Sequence, residues 1–126
     1  MERVQGIGGV FFKAEDPPAL SRWYAEHLGV MAPPQSYDEA VWEQEQGPTV
    51  FAPFGAEQWD SPHLGPSGWG INFRVVDLDG MVEQLRAAGL AVEVDPEAYP
   101  NGRFAHLADP EGNPVQLWET EVPPRS

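Results

Sequence analysis

Cysteine is absent from this 126-residue chain. Its absence excludes disulfide bonds and thiolate metal sites, and it fits a reducing compartment such as the cytoplasm. No apolar run approaches the roughly 20 residues that a membrane-spanning helix needs. The first residues, Met1 to Val4, include no basic stretch followed by an apolar one, so no secretory signal is expected there. We therefore predict a cytoplasmic protein that has no membrane partner.

Basic residues are few. Seven Lys and Arg stand against 20 Asp and Glu, which gives a formal net charge of −13. An acidic surface repels phosphate backbones, so we expect no nucleic-acid partner. The glycine-rich stretch 6–9 precedes a predicted strand instead of following one, so it is not a phosphate-binding loop. A serine nucleophile elbow and a His-Glu-x-x-His metal motif are both missing as well.

Aromatic residues are plentiful. Five Trp, six Phe and three Tyr supply large apolar surfaces, and the chain is long enough for one domain with its own core. Fourteen Pro and thirteen Gly predict many turns, but the hydrophobic content of 41% is too high for disorder. We predict a single domain, divided into a first repeat over about 6–54, a linker over 55–68, a second repeat over about 69–119 and a tail over 120–126.

The first half predicts a strand, a helix and further strands. Asp16 and Pro17 suit the N-cap and the first position of a helix. Apolar residues then recur at helical spacing until Gly29, which suits the left-handed position that ends a helix. The predicted strands of this half are residues 9–14, 40–46 and 48–54.

The second half repeats this plan. Asp77 or Asp79 is expected to cap a second helix, which Gly89 closes. The predicted strands of this half are residues 69–76, 90–94, 103–108 and 114–119. Each half therefore predicts a strand, a helix and about three more strands, which indicates an internal duplication.

The turn Asp109-Pro110-Glu111-Gly112 has a clear physical cause. Pro110 presets the first central residue, Gly112 takes a positive φ freely, and Asp109 can accept hydrogen bonds from backbone amides just ahead. Alternating runs flank the turn, so residues 103–119 are predicted to form a hairpin.

The stretch from Asp109 to Glu119 resembles the end of the second repeat in the vicinal-oxygen-chelate superfamily. That superfamily includes glyoxalases, bleomycin-resistance proteins and extradiol dioxygenases, and the resemblance covers residues 6–119. It implies an α+β fold in which two βαβββ repeats form a cup-shaped, mixed eight-stranded sheet with helices on its outer face. Many members are dimers, so the resemblance also implies a homodimer.

The resemblance further implies where a metal would bind, and this sequence departs from the family there. Catalytic members hold a divalent metal through four His, Glu or Gln side chains, and those positions fall on Gly9, about Phe51, Gly70 and Gln116. Glycine and phenylalanine offer no donor atom, and one amide oxygen cannot replace the imidazoles and carboxylates that such a metal needs. The three histidines share no spacing that would make a ligand pair. We therefore predict no metal and no other cofactor.

Alternation along the strands predicts which side chains face the cup. Side chains toward the helices must be apolar, so their neighbours point the other way. Aromatic walls with a few polar groups are typical of a small-molecule site. The predicted ligand-binding residues are Phe11, Lys13, Asn72, Arg74, Phe104, His106, Gln116 and Trp118. Further candidates at the rim are Trp42, Trp69 and Tyr99.

Each of these residues also has a structural interpretation. Lys13 is as well explained as a solvated strand residue. Arg74 either pairs with a nearby carboxylate or clamps an anionic ligand. His106 is suited to general acid–base catalysis near neutral pH, yet a lone histidine on a strand is more often structural. The aromatic residues Phe104 and Trp118 suit packing as well as ligand stacking.

Three functions are consistent with this sequence. The first is a superfamily protein without the family metal ligands, which binds a small aromatic or anionic molecule in the cup. Bleomycin-resistance relatives bind without metal chemistry, and the net charge of −13 also suits a cationic drug. The alternative is a lyase, isomerase or dioxygenase-type enzyme of the same superfamily, metal-independent or atypically metal-dependent, with His106 and Arg74 as catalytic residues. The third is a dimerising module whose cup is filled by its own aromatic side chains.

Overall fold

The computed structural model describes residues 1–59 and 68–120. Four strands form one sheet in the order β1-β4-β3-β2, with β1 parallel to β4 and the other two pairs antiparallel. This mixed α+β architecture confirms the predicted fold class. The elements in chain order are α1 (Pro17–Leu28), α2 (Ala56–Trp59), β1 (Ile71–Arg74), α3 (Leu78–Ala87), β2 (Glu93–Val94), β3 (Gly102–Ala108) and β4 (Pro114–Thr120).

Helix α1 begins and ends where its sequence predicts. The side chain of Asp16 accepts a hydrogen bond from the amide of Ala19 at 3.2 Å, which satisfies one of the free donors at the helix start. Gly29 follows the last helical residue with φ 72°, in the left-handed region that glycine adopts without strain.

Helix α3 is capped from two directions. Asp77, one of the two predicted caps, accepts a hydrogen bond from the amide of Gly80 at 3.1 Å. The carboxylate of Glu119 on β4 accepts a second bond from the amide of Leu78 at 2.7 Å. A negative charge is favourable at this end of a helix, so Glu119 both caps α3 and ties it to the sheet.

One apolar core lies between helices α1 and α3 and one face of the sheet. Its α1 residues come from the first half of the chain, whereas α3 and the strands come from the second. The two halves therefore share a core instead of each burying its own. The buried core residues are Leu20, Tyr24, Leu78, Val82, Leu85, Val92, Ala105, Leu107, Val115 and Leu117.

The structure corrects the prediction for the strands of the first half. Residues 9–14, 40–46 and 48–54 are not strands, and Phe11 and Phe51 are 96% and 85% exposed. A strand is stable only where a neighbour pairs with its backbone N–H and C=O groups, and alternation supplies no such neighbour. In the described part of the chain the sheet has four strands, and the predicted eight-stranded cup is not confirmed.

The predicted linker and tail lie partly outside the described residues. Within the linker, residues 56–59 form the short helix α2, and residues 60–67 are outside the described part of the chain. Thr120 still belongs to β4, whereas residues 121–126 are outside the described part. None of the described helices has the length and apolar character needed to cross a membrane.

The turn before β4 is built on a buried carboxylate. Asp109 is only 4% exposed, and its Oδ1 accepts hydrogen bonds from the amides of Glu111 at 2.9 Å and Asn113 at 3.0 Å. Its Oδ2 accepts from the side-chain amide of Asn113 at 2.8 Å and from the hydroxyl of Tyr24 at 2.6 Å. Burial, the hydrogen bond to Asp109 and its charge raise the pKa of Tyr24 well above the usual range. The turn thus holds α1 through Tyr24.

Glu111 makes a second connection between the same turn and α1. Its two carboxylate oxygens accept hydrogen bonds from the amides of Glu15 at 2.8 Å and Asp16 at 3.1 Å, just before the helix begins. Both amides would otherwise need water as partner. The turn therefore fixes both the middle and the start of α1.

Replacing Tyr24 with phenylalanine tests the connection through Asp109. We expect Tyr24→Phe to lower the free energy of unfolding by about 1–3 kcal/mol, because a buried carboxylate loses one donor. Urea unfolding at pH 7 measures this change. The matched control is Tyr37→Phe, since Tyr37 is fully exposed, and it should change stability by less than about 0.5 kcal/mol. Equal stability of the two variants would contradict the assignment.

Candidate functional site

The sheet register places polar side chains in a row across the face that lies away from the core. Asn72 on β1 is the partner of Gln116 on β4, which in turn is the partner of His106 on β3. Glu93 on β2 is opposite His106 and continues the row to the far edge. Cross-strand partners share a face, so these four side chains lie side by side. We call them the polar row.

A second row lies two residues further along the strands, about 7 Å from the first. Arg74 is the partner of Trp118, and Trp118 is the partner of Phe104. The rings of Phe104 and Trp118 are 6.2 Å apart and nearly parallel, at 5°. The ring of Tyr99 meets Phe104 edge-on, with ring centroids 5.9 Å apart. We call Arg74, Trp118 and Phe104 the aromatic row.

Trp118 is held in place by a backbone contact. Its indole N–H donates a hydrogen bond to the carbonyl oxygen of Asn101 at 2.8 Å, and the side chain is only 8% exposed. Its ring orientation is therefore set by the hairpin that precedes β3.

The residues at the family's four metal positions do not fit a metal. Gln116 is the only one of the four with a donor atom, and its Oε1 accepts a hydrogen bond from the side-chain amide of Asn72 at 2.7 Å. Gly9, Phe51 and Gly70 provide no side-chain donor. Within residues 1–59 and 68–120, no group of three or more His, Asp or Glu side chains could hold a metal ion.

Arg74 is covered by a segment of the first half. Its Nη2 donates a hydrogen bond to the carbonyl oxygen of Glu45 at 2.8 Å. A Cβ at Gly47 would overlap the guanidinium group of Arg74, so a side chain there would require the flexible end of Arg74 to move. The segment 45–47 thus lies against one end of the aromatic row.

The structure brings six of the eight predicted ligand-binding residues onto one face. The other two, Phe11 and Lys13, are exposed in the non-strand segment 9–14 and have no place in the sheet. Among the rim candidates, Trp69 packs against Phe12 with ring centroids 4.7 Å apart, and Trp42 is 43% exposed.

The proposed catalytic pair of the enzyme alternative is not adjacent. His106 belongs to the polar row on β3, whereas Arg74 belongs to the aromatic row on β1. Strand β4 separates them, which corresponds to about 10 Å between their strands. The arrangement therefore places a base and a cation on one face without joining them.

Sequence reasoning missed Glu93 as a member of this face. The signal was present, since Leu90, Val92 and Val94 alternate as apolar residues and leave Glu93 on the opposite side. Alternation over residues 90–94, a predicted strand, therefore predicts that Glu93 faces away from the core.

A groove of about 380 Å³ lies elsewhere, between the start of α1 and the turn at Pro110. Four carboxylates line it, but both oxygens of Glu111 already accept backbone hydrogen bonds. The other three carboxylates belong to exposed residues on or just before α1. The groove therefore lacks the set of converging polar groups that the sheet face contains.

Known proteins share this architecture. A family model described as a glyoxalase-like domain matches residues 9–118. No curated protein matches the chain. The lactoylglutathione lyase from Agrobacterium tumefaciens is similar in fold, with a TM-score of 0.55 and 20% identity over 94% of this chain and 96% of that one.

Two proteins from Streptomyces sp. CB03234 are also similar. TnmS3, an antibiotic binding protein, has a TM-score of 0.52 and 27% identity over 85% of this chain and 88% of that one. A glyoxalase/bleomycin resistance protein is 36% identical, with a TM-score of 0.36, over 40% of this chain. The match spans 43% of that second protein, which is less than half its length.

The family model spans nearly the whole chain, including the Asp109 turn and both rows of the open face. This chain therefore belongs to the glyoxalase-like domain family, within the vicinal-oxygen-chelate superfamily.

Proposed function

We propose that this protein binds a small organic molecule on the open face of its sheet, without using the family's metal. The observation that carries this proposal is the side-by-side placement of the two rows. The polar row offers an ordered amide pair and an imidazole, and the aromatic row adds the partly exposed ring of Phe104, which packs beside the buried ring of Trp118. Few but well-placed polar groups beside aromatic surface are what ligand sites commonly contain.

The geometry favours a ligand with a flat aromatic part. The rings of Phe104 and Trp118 are held nearly parallel, and the contact between Trp118 and Asn101 fixes one of them before any ligand arrives. A preorganised site loses less conformational entropy on binding. Polar substituents about 7 Å from the ring of such a ligand would reach the polar row.

Two further observations support this proposal. TnmS3 is described as an antibiotic binding protein, and it shares 27% identity with most of this chain. The net charge of −13 attracts cationic molecules and slows the approach of anions. Arg74 is the one cation of the two rows, and its guanidinium group already donates a hydrogen bond to the backbone carbonyl oxygen of Glu45. The ligand we propose is therefore aromatic and not strongly anionic.

Binding on this face can be tested with two antibiotic probes, daunorubicin and bleomycin, which are cationic and carry flat aromatic groups. We expect saturable binding of at least one of them in isothermal titration. Gln116→Leu should weaken it about tenfold, because the amide pair of the polar row is lost. Gln84→Leu on the exposed side of α3 is the matched control. Equal affinity in both variants, or no saturable binding of either probe, would count against the proposal.

The metal-free mode makes a separate prediction. The protein should retain well under one metal equivalent per chain after incubation with Zn²⁺, Ni²⁺, Mn²⁺ or Fe²⁺ and gel filtration. The reason is that Gln116 is the only donor at the four family positions and its carbonyl oxygen is engaged. Mass spectrometry of the metal content measures this. One tightly held equivalent that disappears in Gln116→Ala would refute the prediction.

We also propose that two copies of the chain associate. Large apolar side chains of the first half are exposed, among them Val10, Phe11, Val50 and Phe51. Exposed apolar surface of this kind often marks a protein–protein contact. A second copy that covers these side chains would remove them from water.

Sedimentation equilibrium tests this association. We expect a mass of about twice 13.9 kDa at micromolar concentration. Phe51→Glu should shift the equilibrium toward the monomer, because it places a charge on the apolar surface that is to be covered. Gln84→Glu adds the same charge on α3 and should leave the mass unchanged. A monomeric wild-type protein would contradict the proposal.

A further inference from the structure

Asn72 and Gln116 join their side-chain amides through a single hydrogen bond. The Nδ2 atom of Asn72 donates to the Oε1 atom of Gln116 at 2.7 Å. A primary amide carries both a carbonyl acceptor and an NH₂ donor, so this bond uses the donor of one residue and the acceptor of the other. Among the residues that the structure describes, neither the Oδ1 atom of Asn72 nor the Nε2 atom of Gln116 has a partner. The pair therefore leaves one acceptor and one donor open.

The open acceptor and the open donor lie on the side of the sheet that faces away from the core. The two residues are register partners on the parallel strands β1 and β4, whose backbones are about 4.8 Å apart. Asn72 is exposed and Gln116 is half-buried, so a molecule on the open face can reach both amides. Neither side chain carries a charge, so an uncharged ligand group is sufficient to match them.

The pair keeps this character when its amides are turned over. If both amide groups rotate by half a turn, Gln116 becomes the donor and Asn72 the acceptor of the bond that joins them. The open donor and the open acceptor then exchange residues, but one of each is still present. The pair is therefore matched by a ligand group that combines one donor with one acceptor, in either order.

We propose that the Asn72–Gln116 pair selects ligands in which a carboxamide or lactam is joined to the flat aromatic part. The carbonyl oxygen of such a group accepts from Gln116 while its N–H donates to Asn72, so both open groups gain a partner. A carboxylate or an ester can only accept, and it would leave the Oδ1 atom of Asn72 facing another oxygen. The partly exposed ring of Phe104 belongs to the row about 7 Å away, within reach of the aromatic part. This ligand class rests on the proposed function, whereas the hydrogen-bonded pair does not.

Nitrogen-15 NMR of the side-chain amides tests the pair without any ligand. We expect one NH₂ proton of Asn72 to be shifted downfield and to exchange with water more slowly than the other, because Gln116 holds it. Gln116→Leu should remove both effects, whereas Gln116→Glu should keep them because a carboxylate oxygen still accepts. Asn72→Leu identifies the signals, and the amide of the exposed Gln84 on α3 is the reference. Asn72 signals that are the same in the wild type and in Gln116→Leu would overturn the pair.

Benzamide, methyl benzoate and benzamidine test the ligand class in NMR titrations at millimolar concentration. They share one ring, but the amide offers a donor and an acceptor, the ester only acceptors and the amidinium group only donors. In the wild type we expect benzamide to bind about tenfold more tightly than methyl benzoate, which corresponds to roughly one additional hydrogen bond. Gln116→Glu replaces the open donor with an acceptor, so it should weaken benzamide about tenfold and strengthen benzamidine.

Gln84→Glu is the matched control, since it adds the same charge on the exposed side of α3, and it should keep the wild-type order of affinities. Equal affinities of benzamide and methyl benzoate in the wild type would overturn the selection by the pair and leave the binding face in place. Unchanged benzamide affinity in Gln116→Glu would overturn it as well. If none of the three compounds showed saturable binding, the binding face itself would be refuted, and the ligand class with it.

Discussion

The buried carboxylate of Asp109 joins the parts of this molecule that the sequence keeps far apart. It accepts four hydrogen bonds: two from the backbone amides of Glu111 and Asn113, one from the side-chain amide of Asn113, and one from the hydroxyl of Tyr24, which lies 85 residues earlier. A charge buried without partners would be strongly unfavourable, so these donors are needed together. Because Tyr24 is on α1 and the turn connects β3 to β4, this side chain ties the first-half helix to the second-half sheet.

Local features of this fold were predictable because their causes are local. Asp16, Gly29, Asp77 and Gly112 act within a few residues of themselves, as caps or as positive-φ positions, and each does so in the structure. The closing hairpin was also predictable, because its turn and the alternation around it are contiguous. The pairing of segments 9–14 and 40–54 depends on distant neighbours, which a pattern of alternating residues does not specify.

The same distinction applies to the candidate site. Alternation identified the open side of β1, β3 and β4, and the register then showed that Asn72, Gln116 and His106 form one row. Alternation alone did not show that Asn72 donates a hydrogen bond to Gln116, since that bond joins residues 44 positions apart. The same bond accounts for a chemical property of the face. It engages the carbonyl oxygen of Gln116, which is the one side-chain donor atom at the four family metal positions.

The two hydrogen bonds of Glu111 explain why the third position of the turn is acidic. Its oxygens receive amides that lie 96 and 95 residues earlier, at the point where the chain enters α1. An acidic residue there is a cap supplied to one half of the molecule by the other, and it complements the positive end of the helix. The two halves of the chain are consequently not interchangeable. If the halves were expressed as separate fragments, the first would have two backbone amides, at Glu15 and Asp16, without their protein partner. The second would have the carboxylate of Glu111 without its donors, so neither fragment alone would contain a complete helix start.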